Sequence, residues 1–164
     1  MTARRRLLAA GAGLMLGARL HAQPAGGEQH LPPVDDLRAL LAQVRQLRAP
    51  LLVLFSTPGC PYCREVRDNY LAPRLAEQAA LKVPTLLIRE VDITSRAPLV
   101  DSQGRRSSQA EFAAQFGARV VPVVALFDER LQLLGEPLVG IDRSGFYESY
   151  LGRAIAEAQR KLRS

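Results

Sequence analysis

Hydrophobic and polar positions along the chain follow two kinds of pattern, which together predict alternating helices and strands. Between Val34 and Pro50, apolar positions recur at helical spacing and predict an amphipathic helix that ends before the proline; these positions are Leu37, Leu40, Leu41, Val44 and Leu47. Residues 51–55 are continuously apolar. Such a short run is typical of a central strand that is covered on both faces.

The middle of the chain predicts a divided helix, a second strand and a polar insertion. Residues 61–81 combine charged and apolar positions, and Pro73 should kink or divide the helix that they form. Residues 85–88 predict a strand, and further apolar positions follow it up to Ile93. The stretch from 95 to 108 is polar and predicts an exposed insertion.

The last third of the sequence predicts a helix, a hairpin and a final helix. Ser107 or Ser108 can cap a helix that Gly117 ends, and Glu111 is placed to complete a capping box. The remaining elements are a third buried strand, the returning strand of a hairpin and an amphipathic helix, at residues 120–127, 131–134 and 143–162. This order of elements predicts an α/β fold, in which helices flank a central mixed β-sheet.

The first 22 residues resemble an export signal. Arg4, Arg5 and Arg6 precede an apolar stretch over residues 7–18, and small residues offer a cleavage site after Ala22. The stretch is too short to span a bilayer, which takes about 20 apolar residues. Because the arginines are followed by a mildly hydrophobic region, the leader is similar to a twin-arginine signal. The alternative is an amphipathic or disordered amino terminus of a cytosolic protein.

The chain after the leader divides into a linker and one domain. Residues 23–33 contain Gly and Pro pairs and no apolar period, which indicates a linker. Residues 34–164 form the domain, with the insertion at 95–108 inside it. Export would place this domain in the periplasm, an oxidising compartment where a pair of cysteines can be a stable disulfide.

The net charge of +6 comes largely from the leader. Four arginines lie in the first 22 residues, and without them 18 basic residues face 16 acidic ones. A balance of +2 over the rest of the chain gives no reason to expect a nucleic-acid partner. Nothing in the sequence indicates an oligomeric state, and a monomer is compatible with it.

Both cysteines of the chain lie in the segment Cys60-Pro61-Tyr62-Cys63, between a predicted buried strand and a predicted helix. A thiolate at the amino end of a helix is stabilised by free backbone N–H groups, so we expect a lowered pKa and a nucleophilic role for Cys60. Cys63 lies one turn further along and can reach Cys60 to form a disulfide. This spacing lets Cys63 resolve a mixed disulfide between Cys60 and a substrate.

Two other interpretations of the cysteine pair are weaker. A zinc site takes about four ligands, and after the leader the chain offers two cysteines and one histidine, His30. A structural disulfide gains most stability when it closes a long loop, whereas this one closes a very short one. We therefore expect no metal and no cofactor other than the redox-active disulfide.

At these residues the sequence resembles the thioredoxin superfamily, from about Leu51 to the last helix. Residues 116–122, followed by an apolar strand, resemble the part of that family that contains its cis-proline. The resemblance implies a thioredoxin-like fold in which Pro122 faces the disulfide and the backbone of Val121 pairs with an extended substrate segment. Tyr62, inside the cysteine motif, is the further candidate for substrate contact.

The sequence also departs from the family. Thioredoxins have Trp before the first cysteine, where this chain has Gly59, and the chain contains no Trp. The carboxylate that thioredoxins place on the preceding strand falls at Leu54. The motif itself is that of glutaredoxins, although the predicted hairpin and leader do not suit a cytosolic glutathione-dependent enzyme.

The predicted function is that of an exported thiol:disulfide oxidoreductase acting on protein substrates. We expect a reductant, although the motif does not fix the direction, and a membrane carrier of electrons or disulfides as its partner. The alternative is a non-catalytic binding or carrier module, for chaperoning or metal delivery, on the same fold. Turnover that depends on Cys60 separates these two hypotheses.

Overall fold

The structure is a computed structural model that describes residues 30–163. Five α-helices, one π-helical segment and six strands lie in this part of the chain. In chain order they are α1 (Leu37–Leu47), β1 (Leu51–Ser56), α2 (Pro61–Val66), the π-helical segment (Arg67–Leu71), α3 (Ala72–Ala80), β2 (Leu87–Asp92), β3 (Pro98–Val100), β4 (Arg106–Ser108), α4 (Gln109–Gln115), β5 (Val123–Phe127), β6 (Leu138–Val139) and α5 (Tyr147–Arg163).

The main sheet has four strands in the order β2-β1-β5-β6. β1 is parallel to β2 and antiparallel to β5, which in turn is antiparallel to β6, so the sheet is mixed as predicted. All six residues of β1 are buried, as its continuously apolar sequence predicted. This strand therefore lies at the centre of the molecule and carries the cysteine motif at its carboxyl end.

An apolar core lies on each face of the sheet. Because side chains alternate along a strand, Leu51, Val53 and Phe55 of β1 pack into one core, with residues of α1 and α4. Leu52 and Leu54 pack into the other core, with residues of α2 and α5. Helices on both faces thus confirm the predicted α/β architecture.

The helix after the motif is divided just before Pro73, as the sequence predicted. Residues 67–71 are π-helical, and the N–H of Ala72 donates to the carbonyl of Arg67, five residues earlier. Pro73 then lies in the first turn of α3. A proline is tolerated there, because its fixed φ of about −65° suits the start of a helix.

The capping box of α4 is also confirmed. The side chain of Ser108 accepts from the backbone N–H of Glu111, and the carboxylate of Glu111 accepts from the N–H of Ser108. The sequence left the choice between two serines open, and the structure assigns the cap to Ser108. Ser107 assists, because its hydroxyl donates to the same carboxylate.

The returning strand of the hairpin lies further along the chain than predicted. Residues 131–134 contribute only an isolated bridge between Leu133 and Phe127, and β6 pairs with β5 at Leu138 and Val139. Leu131 adopts a positive φ of 62°, which interrupts the extended backbone directly after the turn. β5 itself begins at Val123, three residues later than the predicted start.

The insertion at 95–108 is not simply an exposed loop. It contains an antiparallel hairpin of β3 and β4, and the side chain of Leu99 is only 2% exposed within the α1 core. The backbone N–H of Val100 donates to the carbonyl of Asp35, which ties the hairpin to the start of α1. The burial of Leu99 and this hydrogen bond together hold the hairpin against the start of α1.

Residues 30–33, which composition assigned to the linker, run alongside β2. Leu31 is buried, and the N–H of Glu90 donates to the carbonyl of Pro32 over 2.9 Å. The predicted leader over residues 1–22 lies outside the described residues. Between residues 30 and 163, no helix is both long and apolar enough to cross a membrane.

Candidate active site

The cysteine motif forms a disulfide at the junction of β1 and α2. The Cα atoms of Cys60 and Cys63 are 5.2 Å apart. Gly59 precedes the pair with φ of +74°, a left-handed conformation that glycine adopts without strain. Cys60 is the N-cap of α2, and Pro61 occupies its first turn. The sharp turn and the early proline thus direct the chain from the strand into the helix.

The two sulfur atoms differ in their access to solvent. Cys60 is partly exposed, whereas Cys63 is completely buried. The backbone N–H of Cys63 donates to Sγ of Cys60 over 3.1 Å. An incoming sulfur can therefore reach Cys60 but not Cys63, and a hydrogen-bond donor lies where a thiolate on Cys60 would carry its charge.

Val121 and Pro122 lie at the same edge of the sheet as the disulfide. Phe55 of β1 pairs with Val123 of β5 in an antiparallel ladder. The carboxyl end of β1 therefore lies beside the amino end of β5, which Pro122 directly precedes. The peptide bond between Val121 and Pro122 is cis, as the family resemblance implied. The Pro122 carbonyl accepts from the N–H of Gly140 over 2.8 Å, which fixes this turn against the end of β6.

Exposed apolar side chains surround this edge. Tyr62 is 46% exposed in the first turn of α2, and Val120 and Val139 are 60% and 66% exposed beside β5. The backbone of Val121 makes no hydrogen bond to other residues in the range 30–163. The edge therefore presents apolar side chains together with unused backbone groups.

A polar cluster behind the disulfide was not predicted from the sequence. Arg67 donates through Nη2 to Oε1 of Glu90 over 2.7 Å and through Nε to Oε2 over 2.9 Å. The hydroxyl of Ser56 donates to Oε1 of Glu90 over 2.6 Å. The side chains of Arg67 and Glu90 are only 10% and 14% exposed. A glutamate directly before the buried Val91, in a strand that also carries Arg89 and Asp92, was a weak sequence signal for this pair.

A cleft of about 640 Å³ opens beside Cys60. It lies at the carboxyl ends of β1 and β2, on the side of Cys60 away from Val121. One wall comes from the motif and the helical segment after it, and the other from β2, α4 and the segment before α1; the charged and polar lining residues are His30, Ser56, Thr57, Arg64, Arg67, Glu90, Asp92 and Gln109. A Cβ atom built on Gly59 would meet no heavy atom within 4 Å.

No group of three or more His, Cys, Asp or Glu residues within 30–163 is arranged to hold a metal ion.

Residues 37–140 match the sequence model of a family described as a thioredoxin-like domain. The chain belongs to the thioredoxin-like family. No curated protein matches it. Among solved structures, oxidised mitochondrial thioredoxin 3 from Saccharomyces cerevisiae is 13% identical with a TM-score of 0.51, and the match covers 77% of this chain and 94% of that one. A mutant thioredoxin from Halobacterium salinarum is 16% identical with a TM-score of 0.50, and the match covers 82% and 95% of the two chains.

The thioredoxin-like fold and the Cys60–Cys63 pair indicate a thiol–disulfide redox function, with protein thiols as the general class of partner. At these low identities the likeness to solved thioredoxins concerns the fold alone. The roles of individual side chains therefore follow from the geometry of this chain.

Proposed function

We propose that this protein is an exported thiol:disulfide oxidoreductase that reduces disulfides in other proteins. The observation that carries the proposal is the asymmetry of the motif, in which a partly exposed Cys60 is bonded to a fully buried Cys63. One sulfur can meet a substrate, and the other is held where only Cys60 can reach it. A purely structural disulfide has no need of this arrangement.

In the reaction, the dithiol form attacks through Cys60. Its thiolate forms a bond to one sulfur of the substrate disulfide, and the other substrate sulfur leaves as a thiolate and takes up a proton. Cys63 then loses its proton and attacks Sγ of Cys60, which releases the second substrate sulfur. The protein ends as the Cys60–Cys63 disulfide, and two electrons have passed to the substrate.

Substrate binding is assigned to the edge that carries Tyr62, Val121 and Pro122. An extended segment can pair with the backbone of Val121, because those groups make no hydrogen bond to the described residues. The exposed ring of Tyr62 offers apolar contact on the other side of the disulfide. Backbone pairing of this kind accepts many sequences, which suits a general reductant.

Export to the periplasm rests on the arginine-rich leader at residues 1–22. In an oxidising compartment a reductant must be recharged after each turnover. We assign that role to a membrane electron carrier that reduces the Cys60–Cys63 disulfide.

The test combines turnover, trapping and a redox potential. With dithiothreitol as electron source, the protein should reduce insulin, and Cys60→Ser should abolish this activity. Cys63→Ser should accumulate a mixed disulfide with substrate, visible on a non-reducing gel. Equilibration in a thiol buffer should give a potential near −270 mV, about that of thioredoxin.

Two results would overturn the proposal. Activity that survives in Cys60→Ser would show that the motif is not the reactive centre. A potential near −120 mV, about that of a strong oxidant, would reverse the direction of electron flow.

A further inference from the structure

The cleft beside Cys60 is a second route to the reactive sulfur. Residues that could pair with an extended protein segment lie at the β5 end of the sheet, whereas the cleft lies at the end of β2. Its volume of about 640 Å³ is in the range of small-molecule sites. Gly59, which stands where thioredoxins have Trp, leaves open space next to it.

The two walls of this cleft carry opposite charges that are available to a ligand. Arg64 is exposed on the wall that carries Cys60 and makes no ion pair with residues 30–163. On the facing wall, Oδ1 of Asp92 accepts from the N–H and the hydroxyl of Thr94. Oδ2 of Asp92 has no bonding partner within the described part of the chain.

The other two charges of the cleft are already engaged. Arg67 donates three hydrogen bonds to Glu90, and Ser56 donates to the same carboxylate. They form a neutral polar floor, so Arg64 and Asp92 are the guanidinium and carboxylate that remain to select a ligand, and the imidazole of His30 also lines the cleft. A ligand that satisfies Arg64 and Asp92 must carry an anionic and a cationic group.

We propose that the cleft binds low-molecular-weight disulfides whose halves are zwitterionic, that is, disulfides of amino-acid thiols, and presents them to Cys60. Arg64 binds the carboxylate and Asp92 the ammonium group, while the sulfur faces Cys60. This inference rests on the proposed function and adds a class of small substrate to it.

The chemistry follows the same exchange as with a protein. The Cys60 thiolate bonds to one sulfur of the small disulfide, whose S–S bond breaks and whose other half leaves as a thiolate and is protonated. Cys63 gives up its proton, attacks Cys60 and releases the second half, which is protonated in turn. The protein dithiol is oxidised, and one disulfide is reduced to two thiols.

The test measures single-turnover oxidation of the reduced full-length chain by four small disulfides. Cystine carries both charges, dithiodipropionate only the carboxylates, cystamine only the ammonium groups, and hydroxyethyl disulfide neither. The fraction oxidised is read by alkylation and mass spectrometry. The rate with cystine should saturate with concentration. It should also exceed the rate with each of the other three disulfides at least 10-fold, once each rate is divided by the rate at which free dithiothreitol reduces the same disulfide.

Variants of the two walls make the test specific. Arg64→Gln and Asp92→Asn should each lose most of the cystine preference, because the rate with cystine should fall much more than the rate with hydroxyethyl disulfide. Relative to the wild type, Arg64→Glu should raise the rate with cystamine and lower the rate with dithiodipropionate, opposite changes that general damage to the fold would not produce. Arg45→Gln, a matched change of an exposed arginine on α1, should behave like the wild type.

The outcomes separate this inference from the proposed function. Insulin reduction without any preference for cystine would overturn the cleft as a binding site and leave the proposed function standing. A cystine preference that depends on Arg64, in a protein inactive on insulin, would support the cleft and overturn the assignment of protein substrates. Equal rates for all four disulfides in Arg64→Gln and wild type would also overturn the inference.

Discussion

Glu90 lies directly opposite Leu54 in the parallel pairing of β1 and β2. Leu54 occupies the position at which the family resemblance places a buried carboxylate, and Glu90 places a carboxylate opposite it on the neighbouring strand. Arg67 and Ser56 hold it in place through four hydrogen bonds of 2.6 to 3.2 Å. The apolar Leu54 in β1 thus has the charged pair of Glu90 and Arg67 beside it.

The first prediction concerns this pair. Glu90→Gln should destabilise the protein by about 3 kcal/mol, because removal of one partner leaves the other charge buried without its counter-charge. Urea unfolding measures the loss, and Glu77→Gln, on the exposed side of α3, is the control. A loss no larger than that of the control would show that the pair is not required. The double variant Arg67→Met with Glu90→Leu should recover part of the stability.

The second prediction concerns the hairpin of β3 and β4. Leu99→Ala should cost about 2 to 3 kcal/mol in unfolding free energy, because it removes a side chain that is 2% exposed. Arg106→Ala, in the paired strand and exposed, should change stability by less than about 0.5 kcal/mol. Equal effects of the two substitutions would contradict the anchoring role of Leu99.

The third prediction concerns the start of α4. Ser108→Ala removes the acceptor for the N–H of Glu111 and should cost about 1 kcal/mol. Ser108→Asp should retain most of the stability, since aspartate is an equally good N-cap. Thermal and urea unfolding of both variants measure the difference, and identical values for Ala and Asp would argue against the cap.

The fourth prediction concerns stability in acid. Hydrogen bonds from the backbone N–H groups of Ser144 and Phe146 hold the pKa of Asp142 below its ordinary value. The stabilisation is therefore complete above the pKa of an unfolded aspartate, about 3.9, and is lost as the pH falls through the lower folded value.

Asp142→Asn should accordingly lose less stability than the wild type when urea unfolding is repeated from pH 5 down to pH 2.5. Glu65→Gln, which changes an exposed carboxyl without a hydrogen bond to residues 30–163, serves as the control. Parallel acid profiles for the wild type and Asp142→Asn would refute the assigned role.

The sequence could predict the features that local patterns encode. β1 follows from a continuous apolar run, the capping box of α4 from residues three apart, and the reactive pair from two cysteines between a strand and a helix. In each case the residues that determine the feature are neighbours along the chain. The fold class could be predicted because helices and strands alternate along the chain in an order that few architectures contain.

The features that could not be predicted depend on residues far apart in sequence. Arg67 and Glu90 are 23 positions apart and meet only because the helical segment after the motif packs over β2. β6 consists of two residues, one of them exposed, so it has no apolar pattern to reveal it. Gly59 adds no side chain to the cleft that it lines, and the consequence of a missing side chain appears only when its surroundings are known.

The π-helical segment over Arg67–Leu71 has a consequence for the history of this chain. A turn closed over five residues accommodates one residue more than a regular α-helical turn, and an added residue rotates all later side chains by about 100°. Leu71 and Ala72 are buried with the extra residue present. We therefore expect relatives with an uninterrupted helix here to align with a one-residue gap, and the segment to mark where a single codon was gained or lost.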